Sequence, residues 1–356
     1  MTLKKVYEHP ENDDHTLKSP RIGPFVETSC SLLILNHVSA DMTLYCGGGY
    51  SLDLTLGVIS RAVDHCFNCY NFENLRCKGI AMKTNVPSNT AFRGFGGPQG
   101  MLVAEDIMCK VAQKLGLSVD AVRQVNFLQI GDRLPYGPCE KSLLTDEHIL
   151  PGVYKQCEEK FNITERRESV AKFNAENKWK KRGLALVPTM FGIAFGLKFM
   201  NQGGALVHIY RDGSVLVSHG GIEMGQGLYT KVNQIASKVL GVPVEKIHTA
   251  ETATNQVPNA SPTAASYSSD INGWAVRDAC EQIMKRLDYV IERNHTKSWE
   301  EIIQIAYMER ISLSASGFWK SKDVTWDPVT RIGRRWNYYC YGKYFLVVLD
   351  LSNKFN

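Results

Sequence analysis

The sequence predicts an α+β protein of mixed sheets with packed helices, and three features predict it. Two runs of β-favouring residues flank Asp212-Gly213, the pattern of a tight hairpin. Several longer runs place apolar residues at three- and four-residue steps, the period of a helix with one buried face. From Ala205 onward the order is strand, glycine turn, helix, strand, loop, helix, which suits helices packed on a sheet.

The elements follow in chain order. Between Gln99 and Leu115, residues Val103, Ile107, Met108, Val111, Ala112 and Leu115 share a helical face, closed by Gly116. A short second helix starts from Ser118 as its N-cap and turns Val122 and Val125 inward. From Lys155 to Lys181 polarity rises and apolar spacing is irregular, so the boundary between two halves, 1–180 and 181–356, is placed there. Ala205 to Tyr210 and Ser214 to Ser218 are the two hairpin strands, and the second runs directly into His219-Gly220-Gly221. Leu228, Val232, Ile235 and Val239 then mark a helix stopped by Gly241 and Pro243. A strand from Ile247 to Glu251 follows, then a loop, then a long helix with Val276, Ala279, Ile283, Leu287 and Val290 on one side.

A chain of 356 residues exceeds what one core usually organises, so two compact units or one large layered domain are expected. Apolar content of 44% with 22% charged residues is that of an ordinary globular protein. The net charge of +5 is mild, and Lys178-Trp179-Lys180-Lys181-Arg182 is too short for a nucleic-acid footprint; it reads as a solvated linker or helix end. The ten cysteines are scattered along a chain with enough apolar residues for a core, which fits reduced thiols rather than a disulfide scaffold. No apolar run has the length of a signal peptide or a membrane span, so a cytoplasmic location without membrane partners is expected.

Three segments carry the chemistry. Thr90-Ala91-Phe92-Arg93-Gly94-Phe95-Gly96-Gly97-Pro98-Gln99-Gly100 and His219-Gly220-Gly221-Ile222-Glu223-Met224-Gly225-Gln226-Gly227 each join glycines to one polar side chain able to bond oxygen-rich groups. Pro258 to Asp270 adds Ser261, Thr263, Ser266, Ser268 and Ser269 just before the long helix, whose start offers free N–H donors to an anion. A dinucleotide fingerprint is excluded because Gly94 and Gly96 are followed at the sixth place by Gln99, and no Gly-Lys-Ser/Thr of a phosphate loop occurs. Cys66-Phe67-Asn68-Cys69 with Cys77 is weak support for zinc and reads as buried thiols.

These segments resemble the cofactor-binding segments of the xanthine dehydrogenase and aldehyde oxidase family, the molybdenum hydroxylases, with good register from about Ile59 to Gly342. The resemblance implies that 1–180 and 181–356 are parts of a first and a second molybdopterin-binding subdomain. It implies a molybdenum-molybdopterin cofactor held by Ala91, Phe92, Arg93, Gly225, Gln226, Thr263, Ala265, Ser266 and Ser268, with Gln226 approaching the metal's oxo group and no side chain ligating the metal. Phe95 and Phe195 match the aromatic pair that sandwiches a flat substrate, and Gly196 leaves more room there than the threonine of some relatives. Arg61 matches the arginine that bonds a purine oxygen in xanthine dehydrogenases; aldehyde oxidases usually carry an uncharged residue at that place. Hydroxylation of hypoxanthine or xanthine with water as oxygen source is thus implied, with an aldehyde oxidase or a non-catalytic remnant as alternatives. The family's catalytic base, its 2Fe-2S clusters, FAD and NAD site belong to segments outside the matched region, and the chain reads as a fragment of a homodimeric enzyme. Glu223 is read as structural.

Overall fold

A computed structural model of the chain describes residues 26–29, 33–34, 37–136, 148–327, 329–330 and 332–352. The N-terminal segment up to residue 25 and the end beyond residue 352 lie outside the described residues. Two compact units form: Met1–Gly192 with Tyr339–Asn356, and Ile193–Tyr338.

In the first unit, strand β3 (His37–Gly47) pairs antiparallel with β1 (Val26–Ser29) and β2 (Leu33–Ile34) and parallel with β4 (Asn74–Met82). Helix α1 (Thr55–Asp64) makes the crossover that a parallel pair requires, burying Ile59, Ala62 and Val63. Helix α2 (Gly97–Leu115) lies against it and buries Val103, Ala104, Ile107, Met108 and Ala112; Leu115, expected inside, is half exposed in the last turn, just before the Gly116 cap. Helix α3 (Val119–Val125) is capped by Ser118, whose Oγ accepts from Ala121 N at 3.2 Å. Val122 is buried, whereas Val125, the last residue of the helix, is exposed.

Behind α2 lies a buried ionic network. The Glu105 carboxylate accepts from Asn68 Nδ2 at 2.9 Å, from the Tyr70 hydroxyl, and from Arg123, whose NH2 is 2.7 Å away. Arg123 also donates to Asp120 and to the Leu186 carbonyl at 3.0 Å. Glu105 thereby ties α2 to α3 and to the strand carrying Leu186. Burial, followed by the Glu105 charge, pushes the neighbouring Cys69 thiol well up, so it stays protonated. Cys66, Cys69 and Cys77 are all buried free thiols.

Two helices, α4 (Leu150–Lys160) and α5 (Ile163–Glu176), occupy the stretch expected to be irregular. They bury only Leu150, Tyr154 and Ile163, so no apolar stripe announces them. The basic run 178–182 feeds strand β5 (Lys180–Ile193), which pairs with β10 (Tyr338–Ser352). The division expected at Lys181 falls instead after Gly192: Asn68 bonds Pro188 O and Met190 N, keeping that strand up to Gly192 with the first unit.

The second unit is a four-stranded sheet in the order β8 (Ile247–Thr249), β7 (Val215–His219), β6 (Gln202–Ile209), β9 (Ser314–Lys320). Strands β6 and β7 form the expected hairpin, with Gly213 at φ +82° in its turn. Burial alternates strictly along β6, and its inward residues Ala205, Val207 and Ile209 join Val215 and Val217 under two helices. Helix α6 (Leu228–Leu240) supplies Leu228, Val232, Ala236 and Leu240, and α7 (Ser268–Arg293) supplies Val276, Ala279, Ile283 and Leu287. Each large aliphatic side chain so buried stabilises by about 1.5–3 kcal/mol. Helix α8 (Trp299–Met308), closed by a Ser298–Glu301 capping box, packs Ile303 and Ala306 into the same core. Among the described residues no helix is long and apolar enough to cross a membrane, and no cluster of three or more metal-ligating side chains occurs.

Candidate functional site

The first loop leads from β4 into α2 and is braced from behind. Ser88 Oγ donates to Gly48 O at 2.8 Å, Tyr50 N to Val86 O at 3.1 Å, and Thr90 Oγ1 to Asp53 Oδ1 at 3.0 Å. Gly94, Phe95 and Gly96 all have positive φ, an unfavourable conformation for the phenylalanine. The Phe95 ring lies over Gly57 of α1, where an added Cβ would stand 2.9 Å from it. Gly96 and Gly100 serve helix packing: a Cβ on them would fall 2.0 Å from Val58 O and 2.2 Å from Ala62 O. Those two glycines are thus set by the approach of α2 to α1. Phe92 is 59% exposed and Arg93 is exposed, so the outward rim of this loop carries the side chains able to meet a ligand.

The second loop, between β7 and α6, is built differently. His219 is fully buried and its Nδ1 accepts from Gly221 N at 3.1 Å, which puts the ring proton on Nε2; that atom has no hydrogen-bond partner among the described residues. Burial lowers the His219 pKa to about 4. Glu223 Oε1 accepts from Gly225 N and Gly227 N, both at 2.9 Å, and Oε2 from Tyr229 N at 3.1 Å. These amides, Tyr229 foremost, hold the carboxyl below the usual carboxylate range. The Gly225 N–H, expected to face a cofactor, is therefore spent on Glu223, because a carboxylate at a helix start captures the amides there.

Gln226 is held by its own loop. Its Oε1 accepts from Met224 N at 2.5 Å and its Nε2 donates to Ile222 O at 2.8 Å, leaving the second Nε2 proton for another acceptor. Ile222 N donates to Thr263 Oγ1 at 2.8 Å, which joins the third segment to the second. Past Thr263 the chain passes through Ala265 and Ser266, both at positive φ, before Ser268 opens the 26-residue α7. The first amides of such a helix have no intrahelical acceptors and suit an anion. Gly225 and Gly227 meet nothing within 4 Å where a Cβ would stand, so there is space in front of this loop.

The remaining expected residues differ from a simple open pocket. Phe195 is buried, and its N–H donates to Asn201 Oδ1 at 2.8 Å. Gly196 does not leave the room expected: a Cβ there would stand 2.5 Å from Arg335 NH1, which donates to Gly196 O at 3.0 Å. The Arg335 guanidinium lies over Trp336 at 4.6 Å and over Trp326 at 5.6 Å. Arg61 is buried in the first unit, donates to Gly192 O at 2.5 Å and lies 4.7 Å from the Phe191 ring centroid. Sequence reasoning read Glu223 as structural, and an acidic residue just ahead of a helix start is a readable signal for its capture of amides; it passed over Arg335, which nothing local marks.

Two matches to one family description, "Molybdopterin cofactor-binding domain", cover residues 37–127 and 156–350. The chain belongs to this molybdopterin cofactor-binding family. It is 48% identical over 298 residues to a xanthine dehydrogenase/oxidase of Felis catus, covering 84% of this chain and 22% of that protein. It is 47% identical over 311 residues to a xanthine dehydrogenase of Oryza sativa subsp. japonica, covering 87% of this chain and 22% of the relative. The chain thus spans about a fifth of these relatives' length. The fold is similar to the aldehyde oxidoreductase of Desulfovibrio desulfuricans, with a TM-score of 0.69 and 23% identity over 87% of this chain and 32% of that one. It is also similar to quinoline 2-oxidoreductase of Pseudomonas putida, with a TM-score of 0.72 and 19% identity over 91% and 44% of the two chains.

Proposed function

We propose that the chain is the molybdopterin-holding part of a molybdenum hydroxylase that oxidises purines, hypoxanthine and xanthine, with water as the oxygen source. The bond from Ile222 N to Thr263 Oγ1 carries this reading, because it gathers Gln226 and the start of α7 into one polar rim with open space before it. The residues fit the cofactor's chemistry: Thr263, Ala265, Ser266 and Ser268 offer amides and hydroxyls to its phosphate, and Gln226 offers its remaining N–H to the oxo group. The resemblance assigns Ala91, Phe92 and Arg93 of the first unit to cofactor binding as well. When bound, the cofactor supplies the metal centre at which substrate is hydroxylated and its electrons are collected.

The chain's own residues then select and orient. By resemblance, Phe95 and Phe195 are each assigned to stacking on an aromatic ring, and Arg61 to a purine oxygen. In a longer protein, 2Fe-2S clusters and FAD would carry electrons to NAD, and two copies would pair. Aldehyde oxidation is the second reading, favoured by the Arg61 guanidinium being engaged by Gly192 O.

The test is anaerobic loading of the purified chain with molybdopterin carrying molybdenum, followed by metal and pterin assay. One metal per chain is expected, with Gln226→Ala and Thr263→Ala each weakening binding about tenfold, the worth of one hydrogen bond. Absence of retained metal in the folded chain would overturn the proposal.

A further inference from the structure

One carboxylate oxygen, Glu223 Oε1, receives the amides of Gly225 and Gly227, the two residues flanking Gln226, at equal distances of 2.9 Å. The other oxygen takes Tyr229 N in the first turn of α6. The peptide of Gln226 is thereby pinned on both sides to a single atom. Its side chain closes a second ring through Met224 N and Ile222 O, and Ile222 N reaches Thr263. Without the carboxylate, Gly225 and Gly227, at φ +86° and +76° with no contact within 4 Å of an added Cβ, would lose the acceptor of both their N–H groups.

We propose that Glu223 is the positioning residue for Gln226: it clamps the amides on either side so that the Gln226 side-chain amide is fixed before a ligand arrives. This deepens the proposed function and rests on it. A residue acting only as a helix cap would change stability; a positioning residue changes affinity through Gln226 and has no effect once Gln226 is gone.

The experiment uses the full chain as wild type, Glu223→Ala, Glu223→Gln, Gln226→Ala and the Glu223→Ala/Gln226→Ala double variant. Amide hydrogen exchange of the chain without cofactor reads the clamp, and anaerobic titration with molybdopterin reads its consequence. Glu223→Ala should speed exchange at Gly225, Gly227 and Tyr229 at least tenfold and weaken molybdopterin about tenfold. The double variant should bind no worse than Gln226→Ala, and Glu223→Gln, which keeps an oxygen acceptor, should recover most of the affinity. If the alanine variant fails to fold, Glu223→Asp, whose shorter side chain draws the carboxylate away from the Gly225 and Gly227 amides, carries the same comparison with faster exchange and weaker binding expected, and wild-type exchange and affinity in it overturn the clamp. Wild-type affinity in Glu223→Ala, or losses that multiply in the double variant, would overturn the clamp while leaving the proposed function standing. A wild-type chain that retains its protected amides but binds no molybdopterin would overturn the proposed function, and the clamp's role in binding with it.

Discussion

The two glycine-rich loops look alike in sequence and are built on opposite principles. At the end of the loop before α2, Gly96, and in the first turn of α2, Gly100, face backbone at distances no side chain tolerates, 2.0 and 2.2 Å from helix α1, so these glycines are there for packing. In the loop before α6, Gly225 and Gly227 face open space and are required only by their positive φ. The first loop is stiff because a neighbouring helix presses on it, and its exposed side chains include Phe92 and Arg93. The second is held by its own Glu223 carboxylate and has free volume before it. A glycine motif therefore does not reveal which side of the backbone needed the missing Cβ.

The sharpest break of this comparison is a matched pair of substitutions. Gly96→Ala should cost about 3–5 kcal/mol, combining an overpacked helix contact with a left-handed backbone position. Gly225→Ala should cost only the backbone term, about 1–2 kcal/mol. Urea unfolding of both variants measures the difference, and equal losses would show that the first loop yields where the geometry says it cannot.

The next effect is pH-dependent and belongs to the second loop. His219 has a folded pKa near 4 against about 6.5 when unfolded, so between these values the unfolded chain binds the extra proton. Stability from this residue is full above pH 6.5 and is lost as pH falls toward 4, by about 3 kcal/mol at order of magnitude. His219→Gln should remove that slope. Unfolding free energies of both proteins from pH 7 to 4 check it, and parallel curves would show that the buried ring is not what titrates.

Much of this was readable in advance because periodic burial writes itself into sequence. The β6–β7 hairpin, α6 and the apolar side of α7 follow from alternation and three- to four-residue spacing, and all five residues expected on α7 are fully buried. Helices α4 and α5 were not readable, since they bury three residues between them and leave no stripe. In the site, the segments were legible but the use of their atoms was not. The Gly225 amide goes to Glu223, and the space at Gly196 goes to an arginine 139 residues away in the chain. Such pairings depend on which side chains tertiary structure brings back, and no local pattern encodes that.

The smallest effect probes that last pairing, a third glycine intermediate between the two loops. Gly196 is crowded, but by the far end of a long side chain rather than by backbone, so a methyl there can displace Arg335 at the loss of its bond to Gly196 O and its stacking on Trp336. Gly196→Ala should cost about 1–2 kcal/mol, well below Gly96→Ala. In an Arg335→Met background the added methyl should cost less by about 1 kcal/mol, the coupling expected of two groups in contact. A double-mutant cycle by urea unfolding, with tryptophan fluorescence reporting on Trp326 and Trp336, measures that coupling; strict additivity would mean that the guanidinium is not what fills the place of a residue-196 side chain.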